Sequence, residues 1–223
     1  MIKKGVIFDL DGVLVNSMPT HFQAWKEAFA KIAGLEITER DIYLLEGMRG
    51  VELVAKIFEQ KGFADYSLVQ KVHDEKSKIF KQIRKSEPFE GVKDIVESIR
   101  CCKAVVSGST KHDVESILEE AFGKDKFNVI ITADDIEKGK PDPCAFLEAL
   151  RQMKLSPPGA IVIENAPLGV RAANNAGIRC IVTLNNTPLK TSDFDGLISE
   201  ELIFLDTKSA SSFLKKHCDK SYS

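Results

Sequence analysis

The sequence predicts an α/β fold with a parallel sheet, interrupted after its first strand by an inserted helical domain. Three observations carry that expectation. Short apolar runs bounded by turn residues recur along the chain, as buried parallel strands require. Between most of them, apolar residues return at helical spacing, so strand and helix alternate. One long stretch, from about Val15 to Glu87, breaks this rhythm with helical patterning and no convincing strand.

The first run, Gly5 to Leu10, ends at an acidic turn. Phe22, Trp25, Phe29 and Ile32 then form one helical face, Val51, Val54 and Phe58 a second, and Val69, Val72, Ile79 and Ile83 a third. The joins of this helical segment fall near Leu14 to Pro19 and Ser86 to Gly91, both with proline or glycine, as hinges often have. The expected division is residues 1–14 and 88–223 for the core and 15–87 for the helical insertion. Further strands are expected at Ala104 to Ser107, Val129 to Thr132, Ala160 to Ile163, Cys180 to Leu184 and Leu202 to Leu205. Helices lie between them: Val114, Ile117, Leu118 and Ala121, stopped by Gly123; Phe146, Leu147, Leu150 and Met153 after Pro143; and Leu168 to Ala176, capped by Gly177. Phe127 and Phe194 read as core. The polar tail Lys215 to Ser223 is expected to fray.

Composition excludes some functions. With 31 Lys and Arg against 33 Asp and Glu, the net charge of −2 points to no nucleic-acid or membrane partner. No apolar stretch is long enough to span a bilayer, and the N-terminal run stops at Asp9, which argues against a signal peptide. The five cysteines, Cys101, Cys102, Cys144, Cys180 and Cys218, have no metal-type spacing, and their odd number points to reduced thiols in a cytoplasmic protein.

The chemistry-bearing residues sit at or near strand ends. In an open α/β sheet these ends share one rim, where ligands bind. Asp9 and Asp11 follow the first strand, Ser107 the second, and Glu164 and Asn165 the fourth; Lys140 projects from a proline-bounded loop. This set suits a phosphoryl group with a metal ion. Asp9 can ligate metal and attack phosphorus, while Asp11 handles the proton; as general acid, Asp11 needs a raised pKa. Ser107 and Lys140 can hold phosphoryl oxygens. Glu164 and Asn165 complete a hard-oxygen site suited to Mg²⁺.

Phe8-Asp9-Leu10-Asp11-Gly12-Val13-Leu14, Val106-Ser107-Gly108-Ser109, Lys138-Gly139-Lys140-Pro141-Asp142-Pro143 and Glu164-Asn165-Ala166-Pro167-Leu168-Gly169-Val170, with His21-Phe22-Gln23-Ala24-Trp25 in the insertion, resemble the haloacid dehalogenase superfamily and its β-phosphoglucomutase-like subfamily. The likeness covers nearly the whole chain. It implies a Rossmann-like parallel sheet core with an inserted α-helical cap domain, and a Mg²⁺-dependent phosphohydrolase. Asp9 would form a phosphoaspartate. Asp11 would serve as acid, then base, and offer its backbone carbonyl to the metal. Ser107 and Lys140 would hold the phosphoryl group, and Glu164 and Asn165 the metal. Asn165 departs from the family's usual aspartate, which implies weaker Mg²⁺ binding. In the cap, Arg49 falls where a mutase holds a second phosphate. Glu46 falls where a pyrophosphatase-like branch brings a carboxylate to the metal.

Each residue also has a plainer role. The lysines of the third cap helix, Lys71, Lys76, Lys78, Lys81 and Lys85, read mostly as a solvated face, with Lys76 the one candidate to face phosphate. Gly108 and Ser109 contact substrate, or Ser109 only opens the next helix. His21 is either a solvated member of a packed helix or part of a hinge near Asp11. Gly169 serves close helix-to-sheet packing. The expected partner is a small phosphorylated metabolite or pyrophosphate, and the expected state a monomer. A sugar phosphomutase is the first alternative. A receiver-like phosphoacceptor fits poorly, because the chain is long and the acceptor lies on the first strand. A catalytically dead phosphate-binding protein rests on Asn165 alone.

Overall fold

Strand β1 (Gly5–Asp9) is buried along its whole length, flanked on each side by a parallel neighbour. In the computed structural model, which describes residues 4–123 and 125–219, it belongs to one six-stranded sheet. The other strands are β2 (Cys102–Val106), β3 (Val129–Ile131), β4 (Ala160–Glu164), β5 (Arg179–Thr183) and β6 (Ile203–Phe204). Their order is β3-β2-β1-β4-β5-β6, with every pairing parallel. All six expected strands are present, with ends displaced by one or two residues, as frayed boundaries allow.

Alternation along β1 builds two cores. Val6 and Phe8 face one side of the sheet, packing with Val92, Ile95 and Val96 of α5 (Val92–Ser98), Val114 and Ile117 of α6 (Lys111–Phe122) and Leu214 of α9 (Ser211–Asp219). Ile7 faces the other, with Phe146 and Leu150 of α7 (Cys144–Met153) and Val170 of α8 (Pro167–Asn175). Burying a side chain such as Phe8 contributes about 1.5–3 kcal/mol. Phe194 is fully buried, and Phe127 packs edge-on against Phe8 and Phe122.

Four helices, α1 (Met18–Ala33), α2 (Glu39–Tyr43), α3 (Gly50–Lys61) and α4 (Val69–Ile83), lie between β1 and α5. Their apolar faces, with Trp25, Phe29 and Phe58, join the core on the Ile7 side. The two joins run side by side: Asn16 N donates to Glu87 O at 2.8 Å, and Phe89 N to Leu14 O at 3.3 Å. Helices α2 and α5 are additions to the expected set. They span five and seven residues, too short for a clear periodicity.

Two expectations are corrected. The tail is helical through Asp219, because Leu214 buries against the sheet and His217 Nε2 lies 3.2 Å from Gly5 O; residues 220–223 lie outside the described residues. The cysteines are not all thiols: Cys101 and Cys218 form a disulfide, their Cα atoms 5.5 Å apart although 117 residues separate them. The fold brings the end of α9 beside the entry to β2, which spacing alone could not show. Among the described residues, no helix is long and apolar enough to cross a membrane.

Candidate active site

The site forms at the carboxyl ends of β1 and β4, where the chain's path across the sheet changes direction, the usual ligand crevice of such sheets. Asp9 closes β1 and Glu164 closes β4, both buried. Lys140 Nζ lies between them, bonded to Asp9 Oδ1 and 2.5 Å from Glu164 Oε1. Burial alone would discharge this lysine, but Asp9 and Glu164 outweigh it and hold the pKa above the ordinary lysine value. Glu164 Oε2 also accepts from the N–H groups of Asn165 and Ala166, at 3.1 and 3.4 Å, at the start of α8. A Cβ on Gly169 would come within 2.0 Å of the Glu164 carboxyl carbon, so the glycine admits that side chain as well as bringing helix close to sheet.

Asp11 sits in the turn after β1. Its Oδ1 accepts a short hydrogen bond from Ser17. Its Oδ2 lies 3.5 Å from Ser107 Oγ and 3.4 Å from Ser109 Oγ. His21 Nε2 is 3.3 Å from Oδ1, short of good hydrogen-bond geometry. Lys76 Nζ lies 3.0 Å from His21 Nδ1 and over the Phe80 ring, 4.4 Å from its centroid. The lysine donates to Nδ1, so the imidazole proton belongs on Nε2, toward Asp11. Burial pushes the Asp11 carboxyl up, but His21, Ser17 and Lys76 together hold it down at about 2. The expected raised pKa is thus corrected: in this geometry Asp11 is a carboxylate, because its neighbours are donors and cations. Burial, aided by Lys76, lowers His21; burial brings Lys76 down to about 8.

The cap residues divide. Glu46 reaches the core: its Oε2 accepts from Asn165 Nδ2 at 2.8 Å. Arg49 turns away and donates to Glu137 O at 2.6 Å, outside the cavity, so it is not brought to the place expected for a second phosphate. Gly47 O accepts from Lys140 N at 3.0 Å, which draws the cap loop onto the lysine's own backbone. A further tie joins Arg40 of α2 to Asp193 and to Pro188 O. Beneath these contacts lies a cavity of about 300 Å³. Asp9, Asp11, Glu46, Gly108, Ser109 and Lys76 line it, and cap residues Trp25, His73 and Phe80 form its roof. Ser17 was missed by sequence reasoning. The available signal was a helix start at Ser17-Met18-Pro19, but the hydroxyl serves Asp11 and does not cap its own helix.

Four carboxylates, Asp9, Asp11, Glu46 and Glu164, face two lysines, Lys140 and Lys76. Glu46 is held well above its ordinary value, by burial first and then by Asp9. Asp9 is likewise raised by burial, with Glu164 adding to what Lys140 offsets. Glu46 Oε1 and Asn165 Oδ1 are buried without a hydrogen-bond partner. Among the described residues, no three His, Cys, Asp or Glu side chains already converge as a metal cluster. Even so, surplus negative charge beside two unpartnered oxygens fits a hard divalent cation.

A parallel sheet with an acid–lysine–hydroxyl set at its switch point, roofed by inserted helices, defines an α/β enzyme built around a buried carboxylate pair. The chain belongs to the haloacid dehalogenase-like hydrolases, whose family model matches residues 6–183. It is 30% identical over 184 residues to the phosphorylated carbohydrates phosphatase of Thermotoga maritima, covering 80% of this chain and 83% of that protein. Fructose-1-phosphate phosphatase YqaB of Escherichia coli is 29% identical over 182 residues, covering 79% and 94%. A solved structure from Bacteroides vulgatus, provisionally assigned as a β-phosphoglucomutase, superimposes with a TM-score of 0.86 at 28% identity, covering 98% of this chain and 91% of that one. The chain is therefore a phosphatase-like member of the β-phosphoglucomutase-like group.

Proposed function

We propose that this protein is a Mg²⁺-dependent phosphohydrolase that works through a phosphoaspartate on a small phosphorylated metabolite. The observation that carries the reading is Lys140 bridging Asp9 and Glu164 while Asp11, two residues on, is held apart by Ser17. One carboxylate is paired with a cation, and the other is held away from that cation by a hydroxyl. Asp9 attacks phosphorus as the bond to the leaving oxygen breaks, and Asp11 delivers the proton that oxygen needs. Water then attacks the phosphoaspartate, Asp11 takes its proton, and the bond from phosphorus to the Asp9 oxygen breaks. Asp11 as seen here is ready for that second step. Before the first step it must take up a proton, which an incoming anionic phosphate favours by raising its pKa. Ser107 and Lys140 hold the transferring group. Asp9, Glu164, Asn165 and the Asp11 carbonyl would hold Mg²⁺, which supplies charge neutralisation at the phosphoryl oxygens.

Sugar phosphates are the favoured metabolite class: the cavity is roofed by Trp25 and Phe80, and two relatives are named for phosphorylated carbohydrates. Inorganic pyrophosphate is the second reading, favoured by Glu46 reaching Asn165, since a cap carboxylate there takes room from an organic leaving group. The mutase alternative loses support with Arg49 turned to Glu137 O. Phosphate release measured as kcat/KM on pyrophosphate and on hexose phosphates, in wild type and Glu46→Ala, tests the choice. A selective fall on pyrophosphate supports the second reading, and an unchanged ratio removes it. A strict requirement for a sugar bisphosphate would overturn hydrolysis in favour of the mutase.

A further inference from the structure

The turn that carries Asp11 is held from two sides, and one of them lies outside the cavity. On the site side, a Cβ on Gly12 (φ +84) would fall 2.1 Å from Asn165 Nδ2, so this backbone is packed directly against the amide. On the other side is a buried polar cluster of Thr183, Asn185 and Thr207. Asn185 Nδ2 donates to Gly12 O at 2.7 Å, and Thr207 Oγ1 donates to Val13 O at 3.1 Å. The two residues brace each other, with Thr207 N donating to Asn185 Oδ1 at 2.9 Å and Asn185 Nδ2 lying 3.0 Å from Thr207 Oγ1. Thr183 Oγ1 lies 3.3 Å from each of them. Asn185 adopts φ 47, a left-handed conformation that asparagine tolerates better than most residues, and its N–H is bonded to Leu205 O at 2.9 Å. Neither Asn185 nor Thr207 lines the cavity, and both lie beyond the residues matched by the family model.

A buried amide and two buried hydroxyls cost desolvation that an apolar trio would avoid, so their bonds must be well made. Here they are directed to two consecutive carbonyls, those of Gly12 and Val13, in the turn that follows Asp11. We propose that Asn185 and Thr207 are positioning residues for Asp11: by fixing the Gly12 and Val13 carbonyls, they hold the Asp11 carboxyl group where, once protonated, it can pass that proton to the leaving oxygen. A small displacement of a proton donor is costly, since a misplacement of about 1 Å can cost on the order of a hundredfold.

The inference rests on the reading of Asp11 as general acid, and the test separates the two. A primary alkyl phosphate has a poor leaving group that needs the proton; dinitrophenyl phosphate has a good one that does not. The measurement is kcat/KM on both, for wild type, Asp11→Asn, Thr207→Val and Thr207→Ser, each corrected for folded fraction by circular dichroism. Asp11→Asn should lose roughly a hundredfold or more on the alkyl ester relative to the aryl ester. Thr207→Val should lose about tenfold on the same ratio, and Thr207→Ser, which keeps the hydroxyl, should restore it. A merely structural threonine would lower both substrates alike. If Asp11→Asn shows no selectivity, the general-acid reading falls and the inference with it. If Asp11→Asn is selective and Thr207→Val is not, the inference alone is wrong. Should Thr207→Val fail to fold, Asn185→Gly, whose backbone suits the left-handed conformation, carries the test, and equal losses on both esters overturn the proposal.

Discussion

Replacing Asn165 with aspartate probes at once the contact of cap with core and the proposed Mg²⁺ site. Asn165 Nδ2 donates to Glu46 Oε2 at 2.8 Å, so the variant sets two carboxylate oxygens against each other. At that separation and an effective dielectric of about 20, two unit charges repel by about 6 kcal/mol. Taking up one proton at pH 7 on a carboxylate whose ordinary pKa is near 4 costs about 4 kcal/mol. Protonation is cheaper, so in the absence of divalent cations the pair shares a proton; because burial already holds Glu46 well above its ordinary value in the wild type, about 4 kcal/mol at pH 7 is the ceiling on the added destabilisation. The folded-state pKa of the pair then lies above its unfolded value. Stability is therefore fully present below the ordinary carboxylate pKa and is lost as pH rises, by about 1.4 kcal/mol per pH unit. For a chain of this size the ceiling corresponds to a loss of up to about 8–16 °C in Tm at pH 7 and up to about 3–6 °C at pH 5. Scanning calorimetry in EDTA at both pH values measures the gap between wild type and variant. Adding Mg²⁺ should close it, because a divalent cation replaces the shared proton, and half-saturation should come at lower Mg²⁺ than in wild type. An unchanged Tm in EDTA at pH 7, or equal or weaker Mg²⁺ binding, would refute the reasoning.

Asp9→Asn should lower kcat on the order of 10⁴-fold or more with the fold intact, and acid-quenched variant should carry no phosphoryl adduct by mass spectrometry; turnover near wild type would end the phosphoaspartate mechanism. Lys76, brought down to about 8 by burial, helps keep Asp11 low. An alkaline limb in the kcat/KM profile near pH 8 should therefore vanish in Lys76→Met, and a limb that persists there would assign it elsewhere. The same depressed value means that the unfolded chain binds more protons between about 8 and the ordinary 10.5, so this lysine's contribution to stability rises with pH across that window. Arg40→Ala removes the tie from α2 to Asp193 and should enlarge the radius of gyration in solution scattering while barely moving Tm; an unchanged scattering profile would show that this tie does not hold the cap down.

Legibility followed geometry. Asp9, Ser107 and Glu164 were readable because each ends an apolar run, and parallel strands send all such ends to one rim. The direction of Asp9 and Glu164 is inherited from the sheet, whose pleat leaves little freedom. Lys140 was readable because prolines confine its loop. Short α2 and α5 escaped notice because fewer than two turns cannot display a period.

Side chains that depend on two segments meeting were not readable. Glu46 and Arg49 sit in one cap loop, yet Glu46 turns to Asn165, 119 residues on, and Arg49 to the carbonyl of Glu137. Nothing in the loop itself separates those outcomes; the packing of cap on core does. Ser17 looks like an ordinary helix start until the Asp11 turn folds over it. Asn185 reaches Gly12 across 173 residues, and Cys101 meets Cys218 across 117. The sequence by itself determined the layered α/β core, the inserted helices and the gathering of the candidate residues at one rim, because hydrophobic periodicity and strand polarity are local properties that add up to a sheet edge. The tertiary structure alone decided which cap residue enters the site, what holds the turn after Asp11 and which way its neighbours move the Asp11 carboxyl, because contact direction and desolvation exist only once distant segments are packed together.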